Sequence, residues 1–327
     1  MKTSRFKKML LVAALATLPT SLLAQPVALV KTQAPGYYRM MLGNFEITAL
    51  LDGTATLPMD SLLQGASVET IKRLLAAQSL STQVETPINT YLVNTGTHLI
   101  LVDTGAGSFF GHAGGHLLAN LRASGYSPEQ IDTVLLTHIH SDHIGGLSSN
   151  GKPTFVNATV YVNKIDADYW LDPANLAQSK GDAHSGFQQA IDALQPIVSA
   201  GKLKTFSGET QLFPGITAIP AGGHTPGHTM YQFENSGQKL LAWGDLVHST
   251  AVQMAQPEVT VSFDWKGAEA EKSREKVLRD AAQNHEWIAG AHHAFPGLGH
   301  VMRIENKDNH PAYQWIPANY SLAGLKP

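Results

Sequence analysis

The 327-residue chain contains no cysteine, which excludes disulfides and thiolate ligands, so any metal must be held by nitrogen and oxygen. It also lacks a charge excess: 23 basic against 26 acidic residues leave a formal net charge of −3. That balance gives no basic field for nucleic acid, and no run of like charges marks an interaction tail. Long apolar runs are missing too. The run at residues 9–18 is far short of the roughly 20 apolar residues a membrane-spanning helix needs. No internal repeat and no low-complexity linker divides the chain. Its 43% hydrophobic content is ample for one large core.

The first 25 residues differ in kind from the rest. Lys2, Arg5, Lys7 and Lys8 precede the apolar run, and Pro19 with small residues leads to Ala24. This is the shape of a secretory signal peptide rather than a membrane anchor. Cleavage is expected after Ala24, with Leu22 larger than the residue usually preferred two places before the cut. The expectation is therefore a signal peptide at 1–24, a single domain at 25–327, a secreted or periplasmic location and no membrane attachment after cleavage.

Beyond it, strand and helix patterns alternate. Residues 37–51 read as two strands turning at Leu42-Gly43-Asn44, with Asp52-Gly53 closing the unit. Residues 68–78 carry helical spacing at Val68, Ile71, Leu74 and Leu75, as in a packing helix. Two strands joined by a turn at residues 94–97 end at Asp103-Thr104-Gly105. A helix at 114–125 leads to a strand opening at Val134. Further strands are expected at 155–162, 202–206, 216–219, 239–243 and 287–291, and a helix at 185–198. A polar helical stretch carries Tyr169 and Trp170. The order is that of an α/β protein.

The chemistry concentrates in residues 134–147, V-L-L-T-H-I-H-S-D-H-I-G-G-L. A buried strand ends there, and His138 and His140, two apart, leave the same face of an extended segment, which is chelate spacing. Asp142 and His143 follow at a turn where Gly145 and Gly146 let the backbone bend closely around an ion. A His-rich polar loop is the bland alternative, but four ligand-type side chains in H-x-H-x-D-H order favour a metal site.

Other strand ends offer similar groups. The glycine-rich turn A-G-G-H-T-P-G-H presents His224 and His228, between which spacing alone does not choose. The strand at 239–243 ends in Gly244-Asp245, a carboxylate with two oxygens to share between cations. The strand from Trp287 runs into His292-His293. Asp103 either caps its turn or orients a ligand histidine through the outer ring nitrogen. His248 follows Asp245 closely enough to line a pocket. His98, His112, His116, His184, His285 and His300 have no such companions and read as ordinary histidines.

Taken together, these motifs resemble the metallo-β-lactamase superfamily: H-x-H-x-D-H, a later histidine in a G-H-T-x-G-H turn, an aspartate and a last histidine, in that order. The resemblance implies an α/β fold, an αβ/βα four-layer sandwich of two mixed β-sheets flanked by helices. It implies two divalent metal ions, most readily Zn, with Mn, Co or Fe as alternatives. It makes His138, His140 and His224 ligands of one ion, Asp142, His143 and His292 ligands of the other, and Asp245 the bridge, with Asp142 and Asp245 acting in catalysis. It selects His224 over His228, and His292 over His293.

More narrowly, A-P-G-Y-Y-R-M at Ala34, E-I-T-A-L at Glu46, G-Y-S-P-E-Q at Gly125, G-H-T-P-G-H-T at Gly223, G-Q-K-L at Gly237 and F-P-G-L-G-H at Phe295 resemble the methyl parathion hydrolase subfamily. That implies a phosphotriesterase in which a metal-bridging hydroxide attacks P–O–aryl bonds, and a homodimer. It places Phe109, Phe110, Trp170 and Phe187 around an aryl leaving group, where plain packing is the alternative. A lactonase with the same metals, acting on acyl homoserine or other lactones, is the rival reading, since aryl phosphotriesters are largely synthetic; L-V-H-S-T after Asp245, more polar than in parathion hydrolases, is a departure from the subfamily pattern. A diiron redox protein fits less well, because such relatives usually carry glutamate where His140 stands. A zinc-stabilised binding module is the remaining alternative. In each hydrolase reading the partner is a small-molecule ester, phosphotriester or lactone.

Overall fold

The computed structural model describes residues 27–305 and 311–325, and the expected signal peptide at 1–24 lies outside them. Alternating apolar side chains build two seven-stranded sheets within the unit Pro35–Pro327. The first sheet comprises Tyr37–Leu42 (β1), Phe45–Pro58 (β2), Gln83–Asn94 (β3), Leu99–Val102 (β4), Thr133–Leu135 (β5), Thr159–Asn163 (β6) and Leu203–Phe206 (β7), side by side in chain order. β1 to β4 pair antiparallel, and β4 to β7 pair parallel.

The second sheet comprises Thr210–Phe213 (β8), Ile216–Pro220 (β9), Thr229–Asn235 (β10), Gln238–Ala242 (β11), Trp287–Ala289 (β12), Leu298–Ile304 (β13) and Ala312–Pro317 (β14), again in chain order. Only β11 and β12 pair parallel there. Because β9, β10 and β11 alternate in direction, β9, β11 and β12 all point the same way.

Strand alternation sorts side chains into layers. Ile47, Ala49, Val93, Ile100, Val102 and Leu135 face inward and meet Ile216, Ala218, Tyr231, Phe233 and Leu240 of the second sheet. Their neighbours Leu50, Leu92, Leu101, Val134 and Val160 face outward beneath Leu117–Ala123 (α2) and Gly181–Ser199 (α4). On the far side Met230, Leu241 and Ile288 meet Val277, Leu278 and Ala281 of Gly267–Asn284 (α5). Helices outside two facing sheets make the αβ/βα four-layer sandwich, with two mixed sheets.

Val68–Ala77 (α1) begins where expected, its Ser67 hydroxyl accepting the Thr70 N–H at 3.1 Å, and buries Ile71 and Leu75. One expectation fails: Asp52-Gly53 does not close the first strand pair. β2 continues to Pro58 through a bulge between Leu51 and Gly53. The Asp52 carboxylate turns to accept the N–H groups of Ala106, Gly115 and Leu117. Gly53 lies so close to the Ala113 carbonyl that any Cβ would collide with it. Among the described residues no helix is long and apolar enough to cross a membrane.

Candidate metal centre

The parallel pairing of β4 with β5, and of β11 with β12, sends their C-terminal ends to common edges, and the loops that leave them carry the ligand-type residues. His138, His140, Asp142 and His143 follow β5, His224 follows β9, Asp245 follows β11 and His292 follows β12. The structure brings them together in two groups. His138, His140, His224 and Asp245 form one, and Asp142, His143, Asp245 and His292 the other, with the potential ligand atoms of each within 4.8 Å of one another. Asp245 belongs to both.

Outer hydrogen bonds fix which nitrogen of His138, His143, His224 and His292 faces inward. Asp103 accepts at Oδ2 from the Thr137 hydroxyl at 2.7 Å and from His143 Nδ1 at 2.9 Å. The Thr137 oxygen in turn lies 3.0 Å from His138 Nδ1, so one carboxylate at the end of β4 orients a histidine of each group. Asp103 also accepts the Thr137 N–H at 2.8 Å, so turn cap and orienting group are one residue. His224 Nδ1 meets Asp264 Oδ1 at 2.8 Å, and His292 Nδ1 meets the Pro87 carbonyl at 3.0 Å. The protons on those outer nitrogens leave bare lone pairs pointing inward.

Those lone pairs converge. His138 Nε2 lies 3.1 Å and His224 Nε2 3.0 Å from His140 Nδ1. His143 Nε2 and Asp245 Oδ1, both buried, find no hydrogen-bond partner among the described residues, although they are 3.0 Å apart. His292 Nε2 stands 3.0 Å from Asp245 Oδ2 and 3.5 Å from Asp142 Oδ2. Buried acceptors at such distances repel unless a cation sits among them, and an all-N/O set of this kind suits zinc and other divalent ions. The residues present fit two cations.

Electrostatics divide the ligand residues. Burial works against charge on Asp245, yet the surrounding His143, His292 and His138 hold it well below the usual carboxylate range. Burial keeps His138 and His140 well below the usual histidine value, as neutral imidazoles, which is the ligand form. At His224 burial is outweighed by hydrogen bonds to Asp245 and Asp264, which raise it to about 9, and Asp245 likewise outweighs burial to raise His143 and His292, so a cation bound by these three rings displaces protons.

The second histidine of the glycine-rich turn has another task. His228 donates from Nδ1 to the Ala221 carbonyl at 3.1 Å and accepts the Asp245 N–H at Nε2, 3.0 Å away. It fixes the backbone of the shared aspartate, and burial lowers it to about 3. His293 packs instead between Trp243 and Trp315, at ring distances of 5.2 and 4.4 Å.

A cavity of about 240 Å³ opens over the two groups. His140, Asp142, Asp245, His248 and His292 line its floor, and Leu57, Ile88, Phe110, Ile139, Trp170 and Phe263 its walls. Of the pocket residues expected from sequence, Phe110, Trp170 and His248 line it. Phe187 does not: it is buried behind Trp170, ring to ring at 4.7 Å. Phe109 also does not, because it packs against the core beneath the first sheet. Sequence reading missed Phe263, Asp264 and the buried Asp166. None stands in a recognisable pattern, and Asp264 lies 40 residues from the histidine it holds.

The Metallo-beta-lactamase superfamily signature matches residues 84–292. Two solved structures share the fold over most of their length. A hydrolase, AbOPH, of the beta lactamase superfamily is 37% identical, with 89% of this chain and 100% of that one covered and a TM-score of 0.83. AidC, a dizinc quorum-quenching lactonase, is 29% identical, with 88% and 98% covered and a TM-score of 0.77. An N-acyl homoserine lactonase from Bacillus sp. is 28% identical over 179 residues, 48% of this chain. The chain spans 63% of that relative's length. Fold and site are those of a metal-dependent hydrolase. The chain belongs to the metallo-beta-lactamase superfamily.

Proposed function

We propose that the protein is a two-zinc hydrolase that opens lactones. The observation that carries the reading is the pair of ligand groups joined at Asp245 on the floor of a cavity with mostly apolar walls. His138, His140 and His224 would hold one ion, Asp142, His143 and His292 the other, and Asp245 both. When bound, such ions polarise the bond under attack and lower the pKa of water to about 7, which supplies a nucleophile at neutral pH.

The remaining work falls to the chain. Leu57, Ile88, Phe110 and Trp170 exclude water and receive the apolar part of a substrate. A lactone's alkoxide is a poor leaving group and needs a proton. Asp142 lines the cavity with its side chain 19% exposed, so it is placed to take a proton and pass it to that oxygen. His248, with Nε2 3.0 Å from Asp245 Oδ2, puts an imidazole on the same floor. Similarity to AidC and to the Bacillus lactonase supports this substrate class.

Aryl phosphotriesters are the second reading. Phe110 and Trp170 on the wall favour an aryl leaving group, and the subfamily motifs resemble those of methyl parathion hydrolases. The deciding experiment compares N-hexanoyl homoserine lactone with p-nitrophenyl diethyl phosphate on zinc-loaded wild type and Asp245→Ala. The lactone is expected to have the higher kcat/KM, and the variant to lose on the order of a hundredfold or more. A higher kcat/KM on the phosphotriester reverses the order of the readings. No zinc-dependent turnover of either substrate, or full activity in Asp245→Ala, removes both.

A further inference from the structure

The two loops that would supply the three-histidine group come from different sheets, and a third element joins them. Lys164–Trp170 (α3) places Asp166 in its first turn, with 0% exposure. Its carboxylate is divided between the loops. Oδ2 accepts the N–H of Ile139, the residue between His138 and His140, at 3.2 Å. The same oxygen accepts the hydroxyl of Thr225, next to His224, at 2.8 Å. Oδ1 accepts the N–H of Gly227 at 2.5 Å. A Cβ on Gly227 would stand 2.6 Å from the Asp166 N, so glycine is what lets the turn approach.

Other contacts share the junction. The Thr229 N–H donates to the Thr137 carbonyl at 2.8 Å, and the Asn163 amide donates to the Thr229 hydroxyl at 3.2 Å. Those bonds hold strand to strand. Asp166 alone, among the described residues, accepts from both ligand-bearing loops with one charged group. The second group is tied differently, through Asp103 to His143 and through the Pro87 carbonyl to His292. The contacts of Asp166 fall beside His138, His140 and His224, the ligands of the three-histidine group.

We infer that Asp166 is a positioning residue that sets the spacing of His138 and His140 against His224 and so the metal affinity of that site alone. The inference rests on the two-metal reading. Its carboxylate is required for a geometric reason: Oδ1 and Oδ2 each face a backbone N–H, so in Asp166→Asn one rotamer or the other sets the amide NH2 against an N–H. No flip of the amide satisfies both donors.

The test measures cobalt(II) binding to the metal-free full chain, by absorption spectroscopy and equilibrium titration, in two single-site backgrounds. His143→Ala keeps the three-histidine group, and His140→Ala keeps the other. In the first background Asp166→Asn should weaken binding by about tenfold or more, the range in which groups behind metal ligands act, and shift the cobalt spectrum. In the second, affinity should stay within about twofold of the parent. Thr225→Val removes one hydroxyl bond and leaves the carboxylate, so it serves where Asp166→Asn does not fold. It should show the same site preference with a smaller loss. Equal weakening in both backgrounds, as general destabilisation would give, overturns the inference, as does unchanged binding in the first. A wild type that binds no cobalt overturns the two-metal reading itself.

Discussion

His293 adjoins His292 in the chain and does the opposite work. Both its ring nitrogens are buried without a partner among the described residues, and Gly290 sits so close that a Cβ there would lie 2.7 Å from its ring. Burial, with His292 and His248 nearby, pushes its pKa down to about 3. The unfolded chain takes up a proton near 6.5 and the folded one does not, so this contribution is present above pH 6.5 and is lost as pH falls below it. At pH 5 the loss is about 2 kcal/mol. In chelator, His293→Leu should therefore shrink the difference in unfolding free energy between pH 7.5 and pH 5 by about that amount. Urea melts at the two values check it, and a pH dependence parallel to wild type would refute it. Spacing and side-chain chemistry do not separate His293 from His292, or His228 from His224, since each pair offers equivalent side chains; the family resemblance alone chooses His292 and His224. What separates them is where the second nitrogen finds a proton acceptor, and that depends on residues such as Asp264, 40 positions away from His224.

At the scale of elements, strands were the legible part, because their apolar runs put Ile47 and Ala49 on one face and neighbours such as Leu92 and Val93 on opposite, equally buried faces. The 18-residue α5 was not legible. It buries only Ala270, Arg274, Val277, Leu278 and Ala281, a narrow stripe hidden among charged neighbours. Arg274 explains why a charge belongs in that stripe. Its Nε donates to the Pro257 carbonyl at 2.7 Å, Nη1 to Leu246 at 3.2 Å and Nη2 to Val259 at 2.7 Å. Gln253 adds bonds to the N–H groups of His248 and Ser249 and to the Val259 carbonyl. The connection from β11 to α5, which carries His248, Phe263 and Asp264, is thus held by side chains beside one short antiparallel pairing of Thr260–Val261 with Leu63–Gln64. Arg274→Met keeps the stem and leaves the buried carbonyls of Pro257 and Leu246 unpaired, at about 1–3 kcal/mol each, while the Val259 carbonyl keeps its bond from Gln253. We expect a loss of at least about 2 kcal/mol in denaturant unfolding, only partly restored by Lys, whose single ammonium cannot reproduce the fork. A variant within 1 kcal/mol of wild type, on the order of an exposed substitution, would show the guanidinium to be dispensable.

For the whole molecule, the ligand groups lie on both sides of the sandwich. The loop after β5 belongs to the first sheet, and those after β9, β11 and β12 to the second, so bound cations would tie the two sheets together at one edge. Without them, inward lone pairs face each other at about 3 Å, as between His138, His224 and His140. Metal binding should then act as folding free energy, adding about 2.7 kcal/mol per site when free metal is 100 times Kd. Thermal melts in chelator and in excess zinc should differ by the corresponding rise in Tm. Asp245→Ala removes the residue common to both groups, so its zinc-induced rise should largely disappear, whereas Asp142→Ala should keep the part that belongs to the three-histidine site. If Asp245→Ala rose as much as wild type, the two groups would not be joined at that carboxylate, and the binuclear reading of the edge would be wrong.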